Sequence, residues 1–220
     1  MENNRADLMK QALKENSVTA DAVRRELSDQ KIICINLISS PGSGKTSILE
    51  RTAIHFPKKL YAIAGDIYTD LDSKRLREAG IPSYQINTGD RNGECHLESS
   101  WIKDILKEID LGNIRFLFIE NIGNLICPTG FDVGAHYNGT IISVTEGENV
   151  ALKYPFAFKK SQFCLISKVD LLRYLDVNMQ NMINNIKKAN PQIKIILHSS
   201  KTREGMDEWI AYLKNIEIKR

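Results

Sequence analysis

The sequence lacks the features that mark membrane-spanning, secreted and nucleic-acid-binding proteins. It has no apolar run long enough to cross a bilayer, and no apolar N-terminal segment of the kind that directs secretion. Its net charge is only +3 and the two signs are interspersed, so no basic face for nucleic acid is expected. It has four cysteines, and we expect no disulfide framework among them. These absences predict a cytoplasmic protein with no membrane or nucleic-acid partner.

The order of apolar and amphipathic segments predicts the fold. Apolar runs such as 60–64 and 116–119 alternate with segments of helical periodicity, and each run is apolar at successive positions. This pattern is typical of a mostly parallel sheet that is covered by helices on both faces. We therefore predict an α/β domain over residues 30–220.

Residues 1–29 are polar and helix-prone, and they are predicted to form an N-terminal helical arm. Apolar residues recur at helical spacing up to Leu13, and a second short helix is predicted with Thr19 as its N-cap. The arm either packs on the domain, which is the simpler interpretation, or docks a partner.

A glycine-rich turn, Ser-Ser-Pro-Gly-Ser-Gly-Lys-Thr at 39–46, joins the first apolar run to a helical pattern. In this context a G-x-x-x-x-G-K-[ST] pattern forms a phosphate-binding loop, although Ser39 replaces the first glycine here. Lys45 would offset phosphate charge and Thr46 would bind Mg²⁺. The nucleotide-binding residues predicted here are Gly42, Ser43, Gly44, Lys45, Thr46 and Ser47. The alternative is a turn that binds nothing.

Two acidic residues at predicted strand ends are candidates for the Mg²⁺ site. Glu120 follows the run 116–119, and Asp66 follows the run 60–64. Both would lie at the edge of the sheet where ligands bind in open α/β folds, together with Thr46. We therefore predict Lys45, Asp66 and Glu120 as the catalytic residues, with solvated strand ends as the alternative for the two acids.

The stretch Ser167-Lys168-Val169-Asp170 resembles the Asn-Lys-x-Asp motif by which GTPases recognise guanine. The Asp170 carboxylate would accept hydrogen bonds from two guanine donors that adenine lacks, and the Lys168 stem would cover the base. The stretch Ser199-Ser200-Lys201-Thr202 follows the last predicted strand and resembles the loop that contacts guanine O6, with Ser200 and Lys201 as the predicted nucleotide ligands. GTP is thus favoured over ATP. The alternative for Asp170 is a helix N-cap.

Three soft ligands suggest a second site. Cys95 and His96 are predicted to begin a helix whose dipole favours a thiolate, and Cys127 lies in a later turn. Such ligands suit Zn²⁺ or Ni²⁺. Three per chain would leave an open position or form a shared site across a symmetric dimer. The alternative is two unrelated thiols and a capping histidine.

Several stretches together make the chain resemble the HypB-type GTPases that serve nickel insertion into [NiFe]-hydrogenase. The most specific are Cys95-His96-Leu97 and Glu-Asn-Ile-Gly-Asn-Leu-Ile-Cys-Pro at 120–128. Further matches lie at 39–46, 65–72, 85–89, 143–148 and 152–155. They are spread in the right order over most of the chain.

This resemblance implies the SIMIBI class of P-loop GTPases, a homodimer, and a Ni²⁺ or Zn²⁺ site of Cys95, His96 and Cys127 at the dimer interface. Lys153 is expected to reach nucleotide across the dimer, with a solvated surface lysine as the alternative. The sequence departs from the family pattern in three ways: the loop 90–93 is longer, Ser167 replaces the usual asparagine, and the N-terminal Cys-rich motif and His-rich tract of some members have no counterpart. No N-terminal nickel site is therefore expected.

The function implied by the resemblance is that of a slow GTP-hydrolysing metallochaperone with a GTP-dependent dimer. Its partners would be other hydrogenase maturation factors and the hydrogenase large subunit, and its ligands GTP, Mg²⁺ and nickel or zinc. Two rivals stay open: a scaffold GTPase with incidental metal binding, and a P-loop kinase or ATPase.

Overall fold

The computed structural model describes residues 2–89 and 93–218. The longer loop expected at 90–93 falls largely outside these residues. Within them, seven strands form one parallel sheet in the order β3-β2-β4-β1-β5-β6-β7. The strands are β1 (Ile33–Ser39), β2 (Leu60–Asp66), β3 (Ser83–Asn87), β4 (Phe116–Gly123), β5 (Tyr137–Ser143), β6 (Phe163–Ser167) and β7 (Lys194–Leu197).

Helices cover both faces of this sheet, as predicted. They are α1 (Glu2–Asp29), α2 (Lys45–His55), α3 (Leu71–Glu78), α4 (Ser99–Leu106), α5 (Val150–Lys153), α6 (Pro155–Lys159), α7 (Met179–Ala189) and α8 (Met206–Asn215). Among the helices described, none is both long and apolar enough to cross a membrane.

The central strand β1 shows why its sequence is apolar at nearly every position. Ile35 and Leu37 point to the face packed by α2, α3 and α8, and Cys34 points to the face packed by α1 and α4. All three side chains are fully buried. Because both faces of the sheet are covered, no side of this strand faces solvent. The predicted parallel sheet with helices on both faces is confirmed.

The N-terminal prediction was wrong in one respect. Residues 2–29 form one continuous helix, and Thr19 lies inside it instead of starting a second helix. The polar residues around Thr19 do not interrupt the helix. Val23 and Leu27 at its C-terminal end are buried in the core beside α4, so this part of the arm packs on the domain.

Two other boundaries differ from the prediction, and two short helices were not predicted. Helix α4 begins at Ser99 and not at Cys95, because Glu98 before it is still in extended conformation. Strand β4 continues past Glu120 to Gly123, so Glu120 lies inside the strand. Helices α5 and α6 were not predicted, since each is at most five residues long and gives no readable periodicity.

The strand order brings the functional segments to one edge. All the strands are parallel, so the loops that follow β1, β2, β4, β5 and β6 lie at the same edge of the sheet. β1 lies between β4 and β5. From β1 the chain crosses to β2 on one side of it, whereas from β4 the chain crosses to β5 on the other side. Such a switch point in the strand order is where open α/β sheets bind ligands.

A row of three asparagines crosses the middle of the sheet just below this edge, and two of them, Asn36 and Asn121, are buried. The Asn36 side-chain amide on β1 donates to Asn138 Oδ1 on β5 (2.9 Å), and the Asn121 amide on β4 donates to Asn36 Oδ1 (3.1 Å). Asn121 Oδ1 in turn accepts the backbone N–H of Ile122 at 2.9 Å. The end of β4 is thus tied by side chains to the strand that carries the phosphate loop.

A histidine joins α1 to the sheet. The Cys34 backbone N–H donates to His136 Nδ1, and His136 Nε2 lies 2.9 Å from Ser28 Oγ on α1. Ser28 Oγ itself donates to the Arg24 carbonyl oxygen. Because Nδ1 must accept, the ring is neutral with its proton on Nε2. Burial, together with the nearby Arg24 charge, lowers the pKa of His136.

This arrangement predicts a loss of stability in mild acid. Since the folded pKa of His136 is lowered, its contribution is complete above the unfolded pKa of about 6.5 and is lost as pH falls below that value. The slope for this one proton is at most about 1.4 kcal/mol per pH unit. Urea unfolding of wild type and of the non-titrating variant His136→Gln, measured from pH 7.5 to 5.5, checks it. Wild type is expected to lose more stability than the variant over this range, and parallel curves would contradict the assignment.

Candidate functional site

The stretch 39–46 forms a phosphate-binding loop at the end of β1. Gly42 and Gly44 adopt positive φ angles of 70° and 101°, which favour glycine, and α2 begins at Lys45 immediately afterwards. The Lys45 ammonium donates to Ser39 Oγ at 2.8 Å. A cavity of about 400 Å³ lies between this loop and the ends of β2 and β4. The loop and helix start are suited to bind an anion in that cavity.

Beside the loop, two carboxylates converge on one hydroxyl. Thr46 Oγ1 lies 2.7 Å from Asp72 Oδ1 and 2.7 Å from Glu120 Oε1. One hydroxyl proton cannot serve two carboxylates, and Glu120 Oε2 is buried without any hydrogen-bond partner. Burial raises the pKa of Glu120 to about 7. These oxygen atoms, with their surplus acceptor capacity, fit Mg²⁺, which prefers hard oxygen ligands.

Asp66 was predicted as the second acidic ligand, but its carboxylate is used differently here. Asp66 Oδ1 accepts the backbone N–H groups of Tyr68 and Thr69 at 2.9 and 2.7 Å. The carboxylate that contacts Thr46 belongs to Asp72, six residues later in the same acidic stretch. Asp66 therefore shapes the loop between β2 and α3, and its role as a metal ligand stays a prediction.

Lys45 is a buried cation among acids. It is 9% exposed, and burial lowers its pKa. The charges of Glu120, Asp72, Asp66 and Glu146 oppose this shift, in that order of size. The negative charge of a phosphate in the neighbouring cavity would raise the pKa of Lys45 in the same way as these carboxylates do.

The back of the phosphate loop is held by residues from the ends of β5 and β6. Glu146 follows β5 and accepts hydrogen bonds from the hydroxyls of Ser40 and Ser43 at 2.6 and 2.8 Å. Ser167, at the end of β6, donates to the Ser43 carbonyl oxygen at 2.6 Å. The serine that replaces the usual asparagine at 167 therefore contacts the loop.

The predicted base-binding residues meet at the ends of β6 and β7. Asp170 lies in a 3-10 turn that spans Val169–Tyr174, and its carboxylate does not cap a helix. It accepts instead from Ser199 Oγ at 2.6 Å. Lys168 adopts a left-handed conformation with φ 59° just before this turn. The two segments that were expected to form the base pocket are thus joined directly.

The other predicted nucleotide ligands lie around this edge. Ser200 Oγ is 2.9 Å from His198 Nε2, and the Ser200 carbonyl oxygen accepts from Arg51 on α2. Lys201 is exposed, and Lys153 is exposed in the last turn of α5. Ser47 Oγ accepts from Arg75 at 3.0 Å. The contacts of Lys153 and Lys201 with nucleotide stay predictions.

Cys95 and Cys127 are brought together, and the structure joins them in a disulfide. The expectation of no disulfide was therefore wrong for this pair. The two cysteines are 32 residues apart in sequence, and they lie in the loops that follow β3 and β4, two strands that β2 separates in the sheet. The predicted stabilisation of a thiolate by a helix start is also wrong, because α4 begins four residues after Cys95.

His96 does not complete a metal site with this pair in one protomer. Its ring stacks on Phe131 with 3.5 Å between ring centroids, and its Nε2 is buried without a hydrogen-bond partner. Glu94 and Glu98 lie 3.7 and 3.9 Å from its two nitrogens. Burial lowers its pKa. In the part of the chain that is described, no group of three His, Cys, Asp or Glu residues could hold a metal ion.

Two residues of the site were missed in the sequence, Asp72 and Glu146, although signals for both existed. Asp72 belongs to the acidic stretch that contains Asp66, and Ser143 with Glu146 has the S-x-x-E spacing of a capping box, which the structure confirms. Ser199 belongs to the stretch predicted to contact guanine O6, but its contact with Asp170 was not predicted, because it depends on how two strands end side by side.

Comparison with known proteins agrees with this geometry. The model of the CobW/HypB/UreG nucleotide-binding domain family matches residues 33–197. The hydrogenase maturation factor HypB of Escherichia coli K12 is 40% identical over 204 residues, which cover 92% of this chain and 69% of that protein.

Two solved structures are similar along nearly their whole length. The crystal structure of HypB from Archaeoglobus fulgidus superposes with a TM-score of 0.84 at 37% identity, covering 92% of this chain and 98% of the other. HypB from Helicobacter pylori, solved in complex with nickel, gives 0.85 at 35% identity, covering 91% and 94%. With its phosphate loop, its Thr46 cluster and these relatives, the chain belongs to the HypB family of P-loop GTPases, within the larger CobW/HypB/UreG family.

Proposed function

We propose that this protein is a GTP-hydrolysing metallochaperone that supports nickel insertion into [NiFe]-hydrogenase. The observation that carries the proposal is the convergence of Asp72 and Glu120 on Thr46 beside the phosphate loop. These residues have the chemistry that a nucleotide-bound Mg²⁺ requires. The relatives support the nickel role, since they are named hydrogenase maturation factors and one was solved with nickel.

In this proposal each residue of the loop has a distinct task. Thr46, Asp72 and Glu120 would hold Mg²⁺, which when bound supplies positive charge against the β- and γ-phosphates. Lys45 offsets the charge of the same phosphates, and the backbone N–H groups from Gly42 onward orient them. Catalysis then depends on positioning and charge more than on proton transfer.

Intrinsic hydrolysis is expected to be slow. Arg75 lies beside Ser47, but its guanidinium is bound by the Glu50 carboxylate at 3.0 Å. It is therefore not free to offset the charge that develops in the transition state. GTP would then act as a switch whose state persists long enough to be read by a partner.

Guanine selectivity is assigned to Asp170. Its carboxylate is fixed by Ser199, at the end of the sheet where the base would lie next to Lys168. A carboxylate accepts from the two donors on the guanine edge, which adenine does not present. This arrangement supports GTP over ATP and disfavours the alternative of a P-loop kinase or ATPase.

Nickel is the proposed cargo, with Cys95, His96 and Cys127 as its ligands and Zn²⁺ as the competing ion. The disulfide between the two cysteines would have to be reduced, because thiolates and not disulfide sulfurs bind these metals. A GTP-dependent homodimer would place two such pairs face to face. The expected partners are other maturation factors and the hydrogenase large subunit, and a cytoplasmic location stays a prediction.

One observation favours a second candidate, a GTPase that serves only as a scaffold. In a single protomer His96 packs on Phe131, and the described residues supply no three-ligand group. Under this alternative the two cysteines have no metal role. The metal titration below separates the two candidates.

Lys45→Ala is expected to weaken GTP binding about 10- to 150-fold, because the loss of a hydrogen bond to a charged group costs roughly 1.5–3 kcal/mol. Titration with a fluorescent GTP analogue measures the affinity. Lys107→Ala is the matched control, since Lys107 pairs only with Asp104 on the surface among the contacts described. Equal affinities of wild type and Lys45→Ala would remove the proposed nucleotide site.

Asp170→Asn is expected to weaken GTP about 10-fold or more and to improve binding of xanthosine triphosphate. The amide donates a hydrogen bond where the carboxylate accepted one, and xanthine has an oxygen where guanine has its amino group. Competition between the two nucleotides measures the change. Asp176→Asn, at an exposed position beyond the turn, is the control. If Asp170→Asn keeps the wild-type preference, the base binds elsewhere.

After full reduction, wild type is expected to bind Ni²⁺ or Zn²⁺, with an affinity that depends on the bound nucleotide. Coupling of this kind is typically about 1–3 kcal/mol, or roughly 5- to 150-fold, and it must be reciprocal. Calorimetric titration of wild type, Cys127→Ala and the core control Cys164→Ala, each with GDP and with a non-hydrolysable GTP analogue, measures it. Cys127→Ala should lose the site and Cys164→Ala should keep it. Metal affinity that is the same in all six samples would favour the scaffold.

A further inference from the structure

The carboxylate of Glu146 lies directly behind the phosphate loop. Its Oε2 accepts the Ser40 hydroxyl at 2.6 Å, and its Oε1 accepts the Ser43 hydroxyl at 2.8 Å. Oε1 also accepts the backbone N–H of Ser143 at 2.7 Å. The carboxylate therefore connects the turn after β5 to two positions of the loop after β1.

We propose that Glu146 is a positioning residue for nucleotide binding, which fixes the phosphate loop in its binding shape by holding Ser40 and Ser43 from behind. The inference rests on the proposed binding of nucleotide at this loop. It assigns a role to a residue that would not touch the nucleotide itself.

The loop needs such support because of its own sequence. It contains serine where a glycine is usual and has two flexible glycines, Gly42 and Gly44, at positive φ. Serine hydroxyls can bond to nearby backbone and stabilise other loop shapes. In this structure the hydroxyls of Ser40 and Ser43 donate to Glu146, and the Ser43 hydroxyl also lies 2.9 Å from the Ser40 carbonyl oxygen. Glu146 therefore restricts the other orientations that these two side chains could take.

The support from Glu146 is itself well anchored. Ser143 and Glu146 form a capping box on the short turn Val144–Glu146, with the Ser143 hydroxyl accepting the Thr145 N–H. Ser143 is 1% exposed and ends strand β5, which lies next to the central strand β1. The carboxylate thus extends from a rigid base, as a positioning group requires.

Charge supplies a second line of support. The negative charge of Glu146 acts on the buried ammonium of Lys45 and helps to keep it protonated. The carboxylate therefore supports the loop by its hydrogen bonds and supports the phosphate-binding lysine by its field. Glutamine could supply part of the first effect but not the second.

The test compares nucleotide affinity in Glu146→Ala, Glu146→Gln and Glu146→Asp. Glu146→Ala and the shortened Glu146→Asp, which cannot reach both serines, are expected to weaken GDP and GTP-analogue binding about 10-fold. Glu146→Gln keeps an acceptor for Ser43 and is expected to stay within about 3-fold. Glu148→Ala is the matched control, since Glu148 contacts Asn178 and not the loop. If Glu146→Ala does not fold, Glu146→Asp takes its place.

A mutant cycle shows whether Glu146 acts through the serines. Ser40→Ala with Ser43→Ala should weaken nucleotide binding in wild type and have no further effect in Glu146→Ala or Glu146→Asp. The proposal would be overturned if the serine substitutions weakened nucleotide binding by the same factor in the Glu146 variants as in wild type. It would also be overturned if both Glu146→Ala and Glu146→Asp bound nucleotide with wild-type affinity. If wild type itself binds no nucleotide, the proposed function fails, and with it this inference. The two failures are therefore distinguishable.

Discussion

The whole arrangement depends on one buried cation, Lys45. Burial alone would favour its neutral form, and the carboxylates of Glu120, Asp72, Asp66 and Glu146 keep the charge in place. These acids come from β4, α3, β2 and the turn after β5. The charge of Lys45 therefore interacts with four separate segments of the chain. One positive charge does not neutralise four negative ones. Under the proposed function, a triphosphate would therefore bind at this cluster together with a divalent cation.

Strand β4 is the physical link between the nucleotide site and the cysteine pair. Glu120 lies within it, and Asn121 is bound to Asn36 on the neighbouring strand. At Gly123 the strand passes so close to Pro41 of the phosphate loop that a Cβ atom would lie 3.1 Å from the proline Cα. Cys127 follows four residues later. The chain between this contact and Cys127 is therefore short, although only Leu125 within it is buried.

The fold and most of the site could be predicted because their signals are local. Apolar runs gave the strands, and the glycine-rich turn between a strand and a helix gave the phosphate loop. The errors concern contacts between distant segments. The distance between Cys95 and Cys127, and the choice of Asp72 over Asp66 beside Thr46, depend on how loops from different strands meet. No pattern within one segment contains that information.

The asparagine row also bears on how the chain finds its fold. Asn36 and Asn121 are 85 residues apart, and their strands must align before the amides can pair. A slip of one residue in β1 would turn Asn36 to the opposite face, and the Asn121 amide and Asn138 Oδ1 would lose their hydrogen bonds to it. Each buried amide left unpaired costs roughly 1–3 kcal/mol, whereas an apolar residue would tolerate the slip far better. The buried pair Asn36 and Asn121 thus disfavours a sheet in which β1 and β4 are misaligned.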